Sequence, residues 1–276
     1  MAREARGLLV TMRDRLRDRD TALIAAGLTF YAGIAVVPAL VLSLGLTSWV
    51  AGADQVLALT ERLASVLPAE LGAPAAVARL AEAGTGLSVL GALLTLLPIS
   101  LYGEGVRRAL LRFSPAHDRF TAWRGRLAAL PLLVLAPLLL YPLLLVGRLL
   151  ARLAETPGLG AALGGFAAGY YSVLLALTLP LVWVFRVVAA GRLRWRAVVV
   201  GALFTAGSLS GFLQGFVLFL ALPLDLGAPF GGLTVVGGVV AVGFWLFLLQ
   251  FVLIAGWLFT EAIDERLRRG APALSR

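Results

Sequence analysis

Six long segments of the chain contain no charged residue, and each covers at least 21 positions. A helix needs about 20 apolar residues to cross the hydrocarbon core of a bilayer, so every segment is long enough to span it. The pattern therefore predicts an all-α, polytopic membrane protein with six transmembrane helices. The predicted spans are about 22–50, 86–103, 127–147, 161–185, 197–222 and 233–260.

Two further patterns lie outside the spans. Residues 2–19 place apolar side chains at helical spacing and arginines on the remaining surface, which predicts an amphipathic helix at the membrane interface. Residues 54–83 contain two short amphipathic runs, which predict two short helices on the outer surface of the bundle. The length leaves little room for a second domain, so we predict that residues 1–276 form a single membrane domain.

The arginines indicate which side of the membrane each connection faces. If the N-terminus is cytoplasmic, the inner segments hold 20 of the 24 basic residues and a net charge of +11, whereas the outer segments carry −2. Short connections rich in arginine stay on the cytoplasmic side of a membrane. We therefore predict that both termini are cytoplasmic.

Composition agrees with membrane residence and narrows the choice of partners. Hydrophobic residues make up 60% of the chain and charged residues 14%, against about 45–50% and about 25% in soluble domains. A net charge of +9 is also typical of proteins that bind nucleic acid. Here the arginines flank membrane spans, where they meet anionic lipid head groups. We expect lipid head groups at the cytoplasmic rim as partners, and no nucleic acid.

Three segments of the chain resemble one known family. FYAGIAVVP at 30–38 is similar to the FY-x-x-x-S-x-x-P signature in the first span of the YihY/BrkB family of bacterial inner-membrane proteins. GRLRWRAVVVGALF at 191–204 is similar to that family's basic loop before the fifth span. Residues 237–262 resemble its last span, with a Gly-Gly pair before a tryptophan and an acidic residue near the end. The resemblance covers nearly the whole chain in order and spacing.

Two departures from the family pattern limit what the resemblance implies. Ala35 or a neighbouring residue stands where the first signature usually has serine. The apolar LDLGAPFGG at 224–232 replaces an Asn/Tyr-rich segment that is common before the last span. Any ligand-binding role of that segment in relatives is therefore not carried over to this chain.

The resemblance implies a six-span protein of the bacterial inner membrane, a family labelled in turn as ribonuclease, virulence or serum-resistance factor, and transporter. A metal-dependent nuclease needs several carboxylates or histidines converging on a cation. The outer acidic residues are not clustered in the sequence, and the single histidine, His117, is predicted to be an ordinary loop residue. The chain lacks cysteine and also the lysine of a phosphate-binding P-loop. We expect no enzyme activity, no cofactor and no metal site.

The strongest candidate for a functional polar group is Glu104, near the inner end of the second span. Arg107 and Arg108 follow it by three and four positions, so all three lie on one face of a helix and can pair. A charge in the membrane costs about 2.5–3.5 kcal/mol and needs a partner or a role. The group is predicted either to fix the depth of the helix as a salt bridge or to contact head groups at the mouth of a cavity.

Other polar or unusual residues complete the list of pathway candidates. Gln214 and Gln250 lie within apolar runs and are predicted either to hydrogen-bond between helices or to line a pathway. Tyr31 belongs to the first-span signature, as a packed aromatic or a pathway residue, and Pro38 predicts a kink there. Glu261, at the end of the last span, is predicted to anchor the inner interface or to join the pathway.

Glycines in the fifth span indicate close helix packing. Gly207, Gly211 and Gly215 recur every four residues, a spacing at which small side chains let helix backbones approach each other. The pattern predicts packing within the bundle, with a seam between two copies of the chain as the alternative.

Two functions are compatible with these features. The first is a transporter or flippase of an amphipathic, lipid-like and anionic substrate, since bent spans, sparse polar groups and a basic inner rim suit such a molecule. The second is a non-transporting envelope scaffold or virulence-associated factor that acts through protein partners. The first hypothesis is the one we favour from the sequence.

Overall fold

A computed structural model describes residues 20–65, 67, 72–113, 131, 136–155, 158–189, 193–222 and 224–269. The described part is all-helical, which confirms the predicted fold class. The interfacial helix predicted at 2–19 and the loop residue His117 lie outside the described residues, so both stay predictions. The described residues form eight α-helices: α1 (Thr21–Ala51), α2 (Ala53–Ala64), α3 (Ala73–Thr85), α4 (Val89–Phe113), α5 (Ala136–Glu155), α6 (Leu159–Trp183), α7 (Trp195–Leu220) and α8 (Thr234–Arg269).

Five of the described helices are long and apolar enough to cross a membrane. They are α1, α4, α7, α8 and α6 together with the π-helical turn Val184–Val188 that continues it. The predicted third span, 127–147, lies partly outside the described residues and overlaps α5. The last residues of α4 and the π-helical turn after α6 lie together in the main hydrophobic core. The chain therefore crosses the bundle between the end of α4 and the start of α6, and α5 is the described part of that crossing.

Two helices extend well beyond the predicted ends of their spans. The second and sixth spans were predicted to end at 103 and 260, whereas α4 continues to Phe113 and α8 to Arg269. Apolar residues mark the membrane-embedded length, but charged residues continue a helix when opposite charges lie one turn apart. The observed helix therefore includes Glu104, Arg107 and Arg108, as the spacing of these three residues predicts.

The main hydrophobic core lies where the predicted cytoplasmic ends of five helices meet. It contains Leu110 and Phe113 of α4, Phe185 in the π-helical turn, Val198 of α7 and Trp257 of α8. All five side chains are at most 2% exposed. The arginine-rich ends of these helices therefore lie together, as the predicted topology requires.

The two short helices predicted in the outer segment are α2 and α3, and both pack on the far end of α1. A Cβ atom built on Gly45 of α1 would lie only 2.9 Å from the carbonyl oxygen of Gly84 in α3, so these helices touch almost backbone to backbone. On the other side, Gln55 of α2 donates a hydrogen bond of 2.6 Å to the hydroxyl of Tyr141 in α5. A second hydrophobic cluster joins α1, α2, α3 and α5, and it includes Leu44, Val56, Leu80 and Leu144.

Helices α7 and α8 form the antiparallel hairpin that their short connection predicts, and they cross at two reciprocal glycine–threonine contacts. A Cβ atom built on Gly201 of α7 would overlap the side chain of Thr260 on α8, and one built on Gly256 of α8 would overlap Thr205 on α7. Each threonine is fully buried and donates a 2.7 Å hydrogen bond to the carbonyl oxygen of the glycine in its own helix. The close approach therefore leaves neither hydroxyl unsatisfied.

The crossing is symmetrical because both helices carry the same pattern, Gly-x-Leu-Phe-Thr, at 201–205 and 256–260. The phenylalanines of the two copies, Phe204 and Phe259, lie with their ring centroids 4.3 Å apart. Small residues that allow such approach are a main source of helix association in membranes, where apolar side chains gain little by leaving lipid. We infer that this crossing sets the geometry of the α7–α8 pair.

Candidate functional site

The carboxylate of Glu104 lies near the end of α4 and accepts hydrogen bonds from two arginines. Arg107 binds it in a bidentate manner, with Nε 2.8 Å from Oε2 and Nη2 2.7 Å from Oε1. Arg108 adds a third bond, from Nε to Oε1, at 2.7 Å. The pairing predicted from the three- and four-residue spacing is thereby confirmed.

The two arginines differ sharply in their exposure. The Arg107 side chain is 2% exposed and the Glu104 side chain 7%, whereas the Arg108 side chain is 68% exposed. A buried ion pair requires good geometry because both charges have lost their hydration. The bidentate Glu104–Arg107 pair has that geometry, and it forms the fixed part of the cluster.

Arg108 is held in a way that leaves most of its guanidinium group accessible. Its contact with Glu104 uses only Nε, and in the described part of the chain neither Nη atom is hydrogen-bonded to protein. A guanidinium group binds phosphate or carboxylate through paired N–H donors in a fixed plane. Glu104 therefore orients Arg108 while leaving its two Nη groups available to a ligand.

Arg108 lines a cleft of about 340 Å³ between α1 and α4. Tyr31, Gly27 and Leu28 form the α1 wall, and Glu104, Gly105 and Arg112 belong to the α4 wall. Tyr31 packs closely on α4, since a Cβ atom on Gly105 would lie 3.0 Å from its ring. The cleft thus combines an aromatic ring, aliphatic side chains and two arginines.

The charges at the cleft favour an anion. Arg108 and Arg112 line the cleft, and Glu104, the acidic residue of the lining, is also paired with the buried Arg107. Arginine near a membrane surface attracts the anionic groups of lipids. The arrangement can therefore bind a phosphate or carboxylate group on a molecule whose apolar part lies in the membrane.

A second polar contact joins α4 to α8, through a residue of α4 that precedes Glu104 by two positions. The hydroxyl of Tyr102 donates a hydrogen bond to Oε1 of Gln250 across 3.2 Å, and Gln250 is 5% exposed. This confirms the predicted interhelical hydrogen bond of Gln250. Such bonds in membranes contribute about 0.6 kcal/mol on average, so this one positions α4 against α8 without making their contact rigid.

The comparisons with known proteins identify the family. A family model described as Virulence factor BrkB matches residues 12–275. The chain belongs to this family. Neither the comparison with curated proteins nor the comparison with solved structures finds a match. The family match covers all eight described helices, and it confirms the resemblance predicted from the three segments at 30–38, 191–204 and 237–262.

The basic loop by which this BrkB-family chain resembles its relatives is fastened to the end of α8. Asp264 accepts hydrogen bonds from the backbone N–H of Arg194, at 2.8 Å, and from Nε of Arg268, at 2.6 Å. Arg186 lies over the ring of Trp195, 5.1 Å from its centroid. These contacts hold the start of α7 against the end of α8 and against the π-helical turn.

The other pathway candidates of this BrkB-family chain lie outside the cleft between α1 and α4. Pro38 is inside α1, which the structure shows as one continuous helix. Gln214 of α7 lies against Gly169 of α6, where a Cβ atom would come within 2.6 Å of its Nε2. Glu261 is 5% exposed near the end of α8. The structure brings Tyr31, Glu104 and Arg108 together at one cleft, but it does not bring Gln214 there.

The three glycines that were predicted to allow close helix packing lie against other helices of the same BrkB-family chain. A Cβ atom on Gly207 would lie 3.1 Å from the Tyr170 hydroxyl of α6, and one on Gly211 would lie 3.9 Å from the same ring. A Cβ atom on Gly215 would lie 3.4 Å from the Trp245 ring of α8. These contacts favour packing within the bundle; a seam between two copies stays a prediction.

Two features of the site were not predicted. Tyr102 is the partner of Gln250, and Arg112 lines the cleft beside Arg108. Arg112 follows Arg108 by four positions, so helical spacing places both on one face. The tyrosine partner had no such signal, because the two residues lie 148 positions apart in the chain.

Proposed function

We propose that this BrkB-family protein moves an anionic, lipid-like substrate across the bacterial inner membrane, without hydrolysing ATP itself. The observation that carries the proposal is the cleft between α1 and α4, in which Glu104 holds Arg108 with its two Nη groups accessible. A structural salt bridge alone would need only the buried Glu104–Arg107 pair. The exposed second arginine adds a binding surface for an anion.

The position of the cleft suits a lipid better than a soluble anion. Its aliphatic and aromatic lining comes from two membrane-spanning helices, and its arginines lie at the end of α4 that is predicted to be cytoplasmic. A lipid entering from the inner leaflet would place its acyl chains beside α1 and α4 and its head group at Arg108.

We expect Arg108→Gln to weaken the binding of anionic lipid about tenfold or more. The substitution removes a charge-assisted hydrogen-bond donor, worth about 1.5–3 kcal/mol, and about 1.4 kcal/mol corresponds to a factor of ten. The measurement is the occupancy of bound phosphatidic acid and phosphatidylglycerol, by native mass spectrometry of the purified protein, against phosphatidylethanolamine as the net-neutral reference.

The matched control is Arg62→Gln, which removes an exposed arginine from α2, away from the cleft. It should bind anionic lipid as the unaltered protein does. Equal loss in both variants would show only a general effect of net charge, and unchanged binding in Arg108→Gln would contradict the proposed head-group site.

A further inference from the structure

A second groove lies on the opposite face of α1, between α1 and α8. Its volume is about 680 Å³, and nine of the eleven residues that line it are glycine, valine or leucine. The polar side chains at the groove are Thr29 and Thr234. The Thr29 hydroxyl is engaged within α1, donating a 2.8 Å hydrogen bond to the carbonyl oxygen of Ala25. The walls therefore present hydrocarbon almost throughout.

Glycines deepen this groove without bringing helices together. A Cβ atom built on Gly33 of α1 or Gly243 of α8 would meet no atom within 4 Å. These glycines thus differ from Gly201 and Gly256, where another helix fills the space. On the rim, Val37 is 51% exposed and Val239 67%, so the groove is open at the side of the bundle.

The length of the groove matches one leaflet of a membrane. Along α8 it runs from Thr234 to Leu246, which at 1.5 Å per residue is about 18 Å. Half of a ~30 Å hydrocarbon core is about 15 Å. On α1 the lining runs from Thr29 to Val37, about 12 Å, so the groove is shorter along that wall.

Hydrocarbon is the occupant that the surroundings of the groove supply. The groove opens at the side of the bundle between two helices that are long and apolar enough to cross a membrane, so the acyl chains of neighbouring lipids meet it directly. A helix from a second copy of the chain is the alternative occupant, and a thiol placed on the rim distinguishes the two.

We propose that the groove between α1 and α8 is an acyl-chain binding site, occupied by the hydrocarbon tail of a membrane lipid. The site recognises hydrocarbon and not a head group, since its lining offers no charged side chain. It does not depend on the head-group cleft or on transport, because a lipid can fill the groove in a protein that moves nothing.

The test uses the full chain in lipid nanodiscs that contain a phosphatidylcholine with a photoactivatable diazirine on one acyl chain. After irradiation, mass spectrometry locates the labelled residues. We expect labelling concentrated on the α1 and α8 residues that line the groove. Gly33→Leu and Gly243→Leu should abolish this excess labelling, because each leucine projects into the open space above the glycine. Gly165→Leu is the control, since a Cβ atom at Gly165 also meets nothing within 4 Å but lies on α6.

Two results would overturn the proposal. One is labelling of the groove that is no stronger than on other lipid-facing surfaces, or that survives both leucine substitutions. The other is occupation by a second copy of the chain. The sequence contains no cysteine, so Val239→Cys supplies a single thiol on the rim, and efficient formation of a disulfide-linked dimer under mild oxidation would show a protein occupant. Loss of head-group binding in Arg108→Gln would leave the groove labelling unchanged, so the two proposals fail separately.

Discussion

Replacing Gly201 with alanine is expected to lower the free energy of unfolding by about 1–3 kcal/mol, the usual cost of inserting a methyl group into a closely packed core. The new Cβ atom would overlap the side chain of Thr260, which is fully buried and hydrogen-bonded to its own helix. The neighbour therefore cannot rotate away without losing that bond. To relieve the overlap, α7 and α8 have to separate where five helices share the main core.

The measurement is denaturant titration of the purified protein in detergent, and three variants make it specific. Gly256→Ala should cost a similar amount, because the second contact mirrors the first. Gly201→Ala combined with Thr260→Gly should recover much of the loss by removing the side chain that collides. Gly165→Ala, on a face of α6 with open space, should not destabilise the protein. A Gly201→Ala protein as stable as the unaltered one would contradict the close crossing.

Replacing Glu104 with alanine is expected to destabilise the protein more strongly, by about 3–5 kcal/mol. A buried charge that loses its ion-pair partner is strongly destabilised, and the Arg107 side chain, which binds Glu104 in a bidentate manner, is 2% exposed. Arg107→Leu should be similarly costly because it leaves the Glu104 carboxylate with only its exposed arginine. The double variant Glu104→Leu with Arg107→Leu should recover most of the loss, since apolar side chains can replace such a pair at little net cost.

Arg108 should behave differently in the same titration. Its side chain is 68% exposed, and exposed ion pairs contribute about 0–1 kcal/mol. Arg108→Gln is therefore expected to retain stability while it loses anionic lipid. If Glu104→Ala were harmless or Arg108→Gln unfolded the protein, the division between a fixed pair and an available arginine would be wrong.

The sequence predicts the fold well because membranes impose a simple rule on it. Each backbone polar group in lipid must be satisfied within its own helix, so uncharged segments of sufficient length become helices. The predicted first span, 22–50, and fifth span, 197–222, lie within two residues of the observed α1 and α7 at both ends. The predicted and observed helix ends differ most where charged residues begin, as at 103, because hydropathy marks the length of the apolar sequence and not the length of the helix.

The candidate site was only partly predictable, for a related reason. Pairing of Glu104 with Arg107 and Arg108 follows from helical spacing alone, which is local. Contacts between helices depend on how each helix is rotated and tilted. A helix that is apolar on all its faces gives no sequence signal for which face meets a neighbour. Tyr102 and Gln250, 148 positions apart, therefore could not be matched. The Gly-x-Leu-Phe-Thr pattern at 201–205 and 256–260 was visible, but its meaning depends on the antiparallel crossing.

The central claim is most directly tested by lipid translocation in liposomes that contain only the purified protein. Fluorescently labelled phosphatidic acid and phosphatidylglycerol are placed in one leaflet, and their appearance in the other is followed by quenching of the accessible label. We predict transfer faster than in empty liposomes, loss of that transfer in Arg108→Gln, and normal transfer in Arg62→Gln. Transfer equal to that of empty liposomes for every anionic lipid, by a protein that is folded and inserted, would contradict the account.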